Sequence, residues 1–371
     1  MRHIAGYKVT TYTFEGVEGR LVHAAANNRV NGVKWGADEM FADIQTTDMG
    51  LERRRFGGGE KVVSGKDEKA AVGQGVRAPT TPERTRVASF PTPPAEAHSE
   101  TQPAPDALIR EEGLTEQAIG VAPVLPLKAE DGDFMTAFSM NYGMPYKFVA
   151  SGSSKPFEES PWAVQACRTR LNKAAKAFLG EEGGVHDDFN EELIFAYMEK
   201  QKIEYHDDGE EGLGPRIATL SLGGKAQMHM RMKAKHSAGC SKTGLLTADR
   251  PVKGGFMYEE RLAVWSDLQQ LRETDRAAYN RRIKEIPREL GLFERRNKKP
   301  DDLVTLTLSH GDIVLMDGYD IQRYLEHKVV PEGYLRFALT CRNVLERHLR
   351  DHEKPSYEVK PDEGLYDGWD T

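Results

Sequence analysis

The sequence predicts a mainly antiparallel β-fold, a barrel or sandwich with flanking helices (α+β). Three observations carry this. Short strand-like runs recur between about 190 and 345, among them "ELIFAYM", "KIEYH", "RIATLSLGG", "AQMHMRMK", "DLVTLTLSHGDIVLMDG" and "YLRFALTCRNVL". Turn residues punctuate them, most plainly Gly223-Gly224. Only one long helical stretch interrupts the series. Many short strands with few helices between them favour antiparallel sheets over alternating βαβ units.

From the N-terminus, "YKVTTYTFEG" and "GRLVHAAANNRV" read as strands and "ADEMFADIQ" as a short helix. Residues 1–56 are therefore expected to form a small module, or an arm packed on something larger, of unknown role. Residues 57–118 are dominated by Gly, Pro, Ser, Thr and charges. Such a composition cannot bury enough apolar surface to offset chain entropy, so a disordered linker is expected there. A folded domain is expected over 119–350, followed by a tail at 351–371. Within the domain, "SPWAVQACRTRLNKAAKAFLG" has helical spacing, with Trp162, Ala166, Leu171 and Ala175 on or near one face behind Ser160-Pro161. A single long helix is expected over about 258–286.

Composition sets outer limits. The chain has 371 residues, a formal net charge of −7 and 29% charged residues. No apolar run approaches the roughly 20 residues a membrane helix needs, and the opening residues lack the apolar core of a secretory signal. Three dispersed cysteines, Cys167, Cys240 and Cys341, suit reduced thiols in the nucleus or cytoplasm. An acidic balance argues against indiscriminate nucleic-acid binding and leaves room for a local basic face.

Chemistry concentrates in "YHDDGEEGLGPRIATLSLG". Residues i and i+2 at a strand end point the same way, so His206 and Asp208 can face one point while Asp207 points elsewhere. A distant second histidine would complete a set of two histidines and one carboxylate, which leaves open positions on a metal. His327, in "YLEHKVVPEGYLRFALTCR", is the candidate. Arg336 and Arg342 follow, six apart, and an even spacing puts both on one strand face. Two guanidiniums facing inward are costly without an anion, and a dicarboxylate is a natural partner.

These motifs, in this order, resemble the AlkB family of Fe(II)- and 2-oxoglutarate-dependent dioxygenases, whose pattern is HxD, a distal His and RxxxxxR on a double-stranded β-helix (jelly roll). "FNEELIFAY", "GPRIATLSLG" and "GDIVLMDG" resemble the flanking segments, and "NYGMPYKF" with "SPW" resembles the nucleotide-recognition lid. The resemblance spans about 134–347. It implies that His206, Asp208 and His327 bind Fe(II), that Arg336 pairs with the distal carboxylate of 2-oxoglutarate, and that Arg342 approaches its metal-chelating end. It also implies that Tyr197 contacts the cosubstrate. Glu210, Tyr142 and Tyr146 would contact substrate. The implied reaction consumes O2 and decarboxylates 2-oxoglutarate to succinate while hydroxylating a C–H bond. On a carbon attached to nitrogen, the product collapses and dealkylation follows, as in DNA repair or RNA demethylation.

The sequence departs from the family in three places. Phe195 stands where the family has Asn, two residues before the tyrosine. About 120 residues separate Asp208 from His327, leaving an insertion at about 235–302. The span from His327 to Arg336 is short, which demands a tight loop. The insertion carries a basic run (Arg281, Arg282, Lys284, Arg288, Arg295, Arg296, Lys298 and Lys299), expected near the site mouth as a grip on nucleic-acid phosphates. Its rival is a solvated helix packed through Leu262, Trp265, Leu268 and Leu271. Asp207 and Glu211 read as surface charges, and His310, the rival for the distal ligand, as a turn residue. His229 and His236 read as non-ligands and Cys341 as core. Two alternatives to nucleic-acid dealkylation share the fold: hydroxylation of a protein or small molecule, and a binding module without turnover. The oligomeric state is not legible.

Overall fold

A computed structural model describes residues 2–26, 36–55, 134–145, 154–179, 188–198 and 201–364. The expected linker at 57–118 and Tyr146 lie outside the described residues. The jelly roll is built from eight strands: β7 (Glu191–Met198), β8 (Ile203–His206), β9 (Leu213–Gly223), β10 (Ala226–Met232), β11 (Asp302–Leu308), β12 (Ile313–Asp317), β13 (Leu325–Pro331) and β14 (Leu335–Val344). They pair as nested antiparallel partners. β7 lies on β14, β8 on β13, β9 on β12 and β10 on β11. β9 also pairs with β14, and β10 with β13. The result is a small sheet ordered β11-β10-β13-β8 and a large sheet that runs through β12-β9-β14-β7.

The large sheet is extended at both ends. β1 (Arg2–Ile4), β2 (Tyr7–Tyr12) and β3 (Arg20–Ala26) join at the β12 edge, and β4 (Glu52–Arg55) and β5 (Phe134–Gly143) at the β7 edge. The two-residue β6 (Ser154–Lys155) runs parallel to the end of β5. The described residues of 1–59 and 132–371 form one compact unit. Of the two expectations for 1–56, its described strands match the arm packed on something larger, since β1 to β4 join the large sheet. Its helix α1 (Ala37–Thr46) and α2 (Trp162–Leu179) cover the outer face of that sheet.

Strand period explains the two cores. In β10, Met228, Met230 and Met232 are buried and alternate with the more exposed Gln227, His229 and Arg231. The methionines meet Ile217, Val314 and Met316 of the large sheet between the sheets. In β14, Phe337, Leu339 and Cys341 join the layer beneath α1 and α2. Arg336, Thr340 and Arg342 project from the opposite face, into the space between the sheets. Around α2, burial reaches most sides, because the tail packs on it: Thr169 and Asn172 donate to the Asp362 carboxylate at 2.6 and 2.9 Å. Trp162 stays 39% exposed, against the expectation for that face.

The tight loop expected between His327 and Arg336 is real. Gly333 in that turn abuts Gly224 in the β9–β10 turn so closely that a Cβ on Gly333 would meet the Gly224 Cα at 3.0 Å. Only paired glycines allow the two turns to touch. The insertion between β10 and β11 departs from expectation. The single long helix is two, α4 (Tyr258–Thr274) and α5 (Arg276–Glu289), preceded by the short α3 (Ala234–Ala238). The chain breaks at Asp275, whose side chain caps α5 by accepting from the Ala278 amide at 2.9 Å. The helices have their own small core of Leu268, Tyr279 and Ile286, with Leu271 and Val264 against it. A last one-turn helix, α6 (Tyr319–Tyr324), leads directly into β13.

Candidate active site

β8 delivers His206 at its end, and β13 places His327 directly opposite in register. Their ring centroids are 4.4 Å apart. Asp208 follows in the loop to β9, and one ligating atom from each of the three lies within 4.8 Å of the others. Nδ1 of His206 is 2.8 Å from the Glu204 carbonyl. A carbonyl only accepts, so Nδ1 is the donor there and Nε2 is the nitrogen left for a metal. Burial, and next the neighbouring His206, push His327 down to about 4, so its imidazole is neutral near neutral pH. Burial alone would raise the Asp208 carboxyl, but Arg342 and the two histidines outweigh it and hold it below its ordinary value. Two imidazoles and a carboxylate, gathered on one side of a point, could hold a metal ion and leave positions on it open.

Arg342 donates to Asp208 at 3.1 Å and faces Glu191 at 3.4 Å. Both carboxylates are at least about nine-tenths buried. Sequence reasoning missed Glu191: a charged pair at the start of β7, "EE", reads as a solvated strand end. Arg342 is thus engaged with two protein carboxylates, and its first effect is to hold Asp208 in place.

Arg336 lies six residues away on the same face of β14, 1% exposed. It is in register with Tyr197 of β7, with its guanidinium carbon 5.3 Å from the ring centroid. Nη2 donates to Ser221 Oγ at 2.9 Å. Nε and Nη1 have no hydrogen-bond partner among the described residues. Burial lowers the guanidinium's proton affinity and pushes the Tyr197 phenol up to about 12, so Tyr197 is a neutral donor. A buried cation with two unused donors demands an anion, and a carboxylate matches the guanidinium fork. The chain's own residues therefore fit both a metal and a carboxylate cosubstrate beside it.

With this geometry in hand, the family model for the 2OG-Fe(II) oxygenase superfamily matches residues 137–342, more than half of the chain. The chain belongs to this superfamily. The oxygenase is a 2-oxoglutarate-dependent dioxygenase and uses Fe(II), 2-oxoglutarate and O2. Among solved structures it is similar to one described as "The structure of OsALKBH1", with 16% identity and a TM-score of 0.26, over 58% of this chain and 82% of that one. No curated protein sequence matches the oxygenase. Among its described residues no helix is long and apolar enough to cross a membrane.

Other expected site residues fare unequally. Glu210, half-buried, sits two residues past Asp208 in the turn entering β9. Tyr142 is a correction. It pairs in register with Glu192, packs in the layer beneath α1 and α2, and directs its hydroxyl to the Met49 carbonyl at 3.5 Å. Its neighbour Asn141, in register with Leu193, occupies the side of the sheet that faces the site. His310 accepts from the Gly223 amide at 2.8 Å and meets Asp38 of α1 at 3.2 Å, a turn residue of the oxygenase on the far side of the large sheet. His236 is buried against Tyr324 and the Arg323 carbonyl, away from the triad. Phe195, where an Asn was expected, stacks 6.0 Å from Tyr197 and supplies no polar contact.

Proposed function

We propose that His206, Asp208 and His327 hold Fe(II), that Arg336 and Tyr197 receive the distal carboxylate of 2-oxoglutarate, and that the enzyme is AlkB-like, dealkylating bases in DNA or RNA by oxidation. The observation that carries the cofactor assignment is the convergence of the three ligating atoms within 4.8 Å, beside an Arg336 with two unpartnered nitrogens. Bound iron supplies O2 activation. The residues orient the cosubstrate and keep it from water: Arg336 by a charged fork, Tyr197 by a neutral hydroxyl, Arg342 by restraining the carboxylate ligand.

The nucleic-acid reading rests on the motif order, on Glu210 and on the insertion. Lys233, at the insertion's root, contacts Asp207 inside the HxD motif at 2.7 Å, so the insertion starts at the site's rim. Arg281, Lys284, Arg288, Lys298 and Lys299 are exposed on it. Arg282 is not available in the same way, because Glu285 and Glu289 pair with it at 3.0 and 2.7 Å. The withdrawal of Tyr142 from the site removes one expected base contact and favours keeping protein or small-molecule hydroxylation as the second reading. Succinate release, measured with alkylated DNA, alkylated RNA and peptide pools, tests the assignment. Substrate-dependent release confined to the nucleic acids supports it, and release only with peptides overturns it.

A further inference from the structure

Three consecutive residues of the metal-ligand loop lean on two side chains that lie far away in sequence. The Asp208 amide donates to Gln322 Oε1 at 3.0 Å. The Asp207 carboxylate accepts from Lys233 Nζ at 2.7 Å through Oδ2 and from the Gly209 amide at 3.0 Å through Oδ1. Lys233 Nζ also donates to the Gln322 backbone carbonyl at 2.6 Å. Gly209 has no room for a side chain here: a Cβ would stand 3.2 Å from Gln322 Cβ and 2.8 Å from Asp207 Oδ1. These contacts close a ring from the loop through Gln322, on to Lys233 and back to the loop.

The ring's members are placed to matter. Gln322 is buried and lies on α6, five residues before His327, so the element that anchors Asp208 is the one that feeds the second histidine into β13. Its Nε2 is held in turn by Met316 Sδ at 3.5 Å. Lys233 is the first residue after β10, and its own amide donates to the Tyr324 carbonyl at 2.8 Å, at the end of the same helix. A loop residue with no strand partner has many conformations, and a carboxylate ligand must be held to within fractions of an ångström.

We propose that Gln322 and Lys233 are positioning residues that set Asp208 against His327, with Lys233 acting through Asp207. This rests on the iron-site assignment above. Asp207, the middle residue of HxD, is directed at Lys233 and not at the metal point, and in this arrangement it ties the loop to the root of the insertion.

The test is anaerobic binding of Co(II), read by calorimetry and by the visible spectrum of the bound ion, in the full-length protein. Outer partners of metal ligands typically cost about 10–100-fold in affinity when removed. Lys233→Met and Gln322→Leu are each expected to weaken Co(II) about tenfold or more and to change the spectrum, because the carboxylate no longer sits where the histidines need it. Lys233→Arg keeps donors to both oxygens and is expected to restore affinity and spectrum. Lys235→Met, at a half-exposed neighbour, is the control for the loop. Thermal unfolding without metal accompanies each variant, and if Gln322→Leu does not fold, the Lys233 pair decides. Parent-like affinity and spectrum in Lys233→Met and in whichever Gln322 variant folds would overturn the clamp alone. Failure of the parent protein to bind Co(II) would overturn the iron-site assignment and the clamp with it.

Discussion

Arg342 stands between two buried carboxylates, 3.1 Å from Asp208 and 3.4 Å from Glu191. Removing the guanidinium takes away the cation that both carboxylates face, and breaking a buried pair from one side costs about 3–5 kcal/mol. Arg342→Met should therefore destabilise the metal-free protein by an amount in that range. Adding Glu191→Gln should recover a substantial part of the loss, since one of the two carboxylates that face Arg342 is gone. Denaturant melts of the two single variants and the double variant measure the coupling; strictly additive losses would show that Glu191 and Arg342 act independently.

Arg336 predicts the opposite pattern. Its charge is buried and mostly unanswered, so Arg336→Leu should leave the unliganded protein as stable as the parent or more so. A charged hydrogen bond is worth about 1.5–3 kcal/mol, so the variant should need at least about tenfold more 2-oxoglutarate for half-maximal uncoupled turnover. A variant that unfolds while keeping its 2-oxoglutarate requirement would reverse the assignment.

His236 provides a pH dependence. Burial, reinforced by Lys235, lowers it from 6.5 to about 4. Between those values the unfolded chain binds a proton that the folded chain refuses. Stability contributed by the neutral form is complete above pH 6.5 and is lost as pH falls toward 4. Each unit of depression corresponds to about 1.4 kcal/mol. His236→Gln should flatten the fall in melting temperature between pH 6.5 and 4, measured without metal. An unchanged slope would place the acid sensitivity elsewhere.

The basic insertion calls for a selective charge reversal. Arg295 and Arg296 lie over Phe256 and Phe293 at 4.7 and 5.1 Å, so replacing them also removes packing. Arg281, Lys284, Lys298 and Lys299 are exposed. Changing these four to Glu should weaken nucleic-acid binding for every sequence tested and flatten its salt dependence. Uncoupled 2-oxoglutarate turnover should survive. Unaltered binding would leave the run as a solvated face.

What the sequence revealed follows strand periodicity. Arg336 and Arg342 share a face because six is even and the pairing of β14 stays regular between them. His206 ends β8 and Asp208 lies beyond it in the loop, so strand parity alone does not place that pair; the ordered motifs point to both and to His327. Tyr142 failed by one residue: Asn141 has the parity that faces the site, and an aromatic ring fits the opposite, apolar layer. Glu191, Gln322 and Lys233 escaped because their partners lie far away in sequence and no local pattern marks them. The break between α4 and α5 was written in Thr274-Asp275, a capping signal submerged in a continuous helical stretch. The turn at Gly333 was foreseen only as a length constraint; its contact with Gly224 joins two loops that share no sequence neighbourhood.

The two idle nitrogens of Arg336 also bear on how long the protein lasts in a cell. A ligand that binds only the folded chain adds stability as its concentration rises, about 2.7 kcal/mol at one hundred times its dissociation constant. If 2-oxoglutarate takes the seat proposed for it at Arg336, scarcity of the keto acid would leave that buried charge unanswered and raise the unfolded fraction. Shifts of about 1–2 kcal/mol change protein abundance several-fold. On that seating, the folded fraction would rise and fall with the concentration of the keto acid through a single buried side chain.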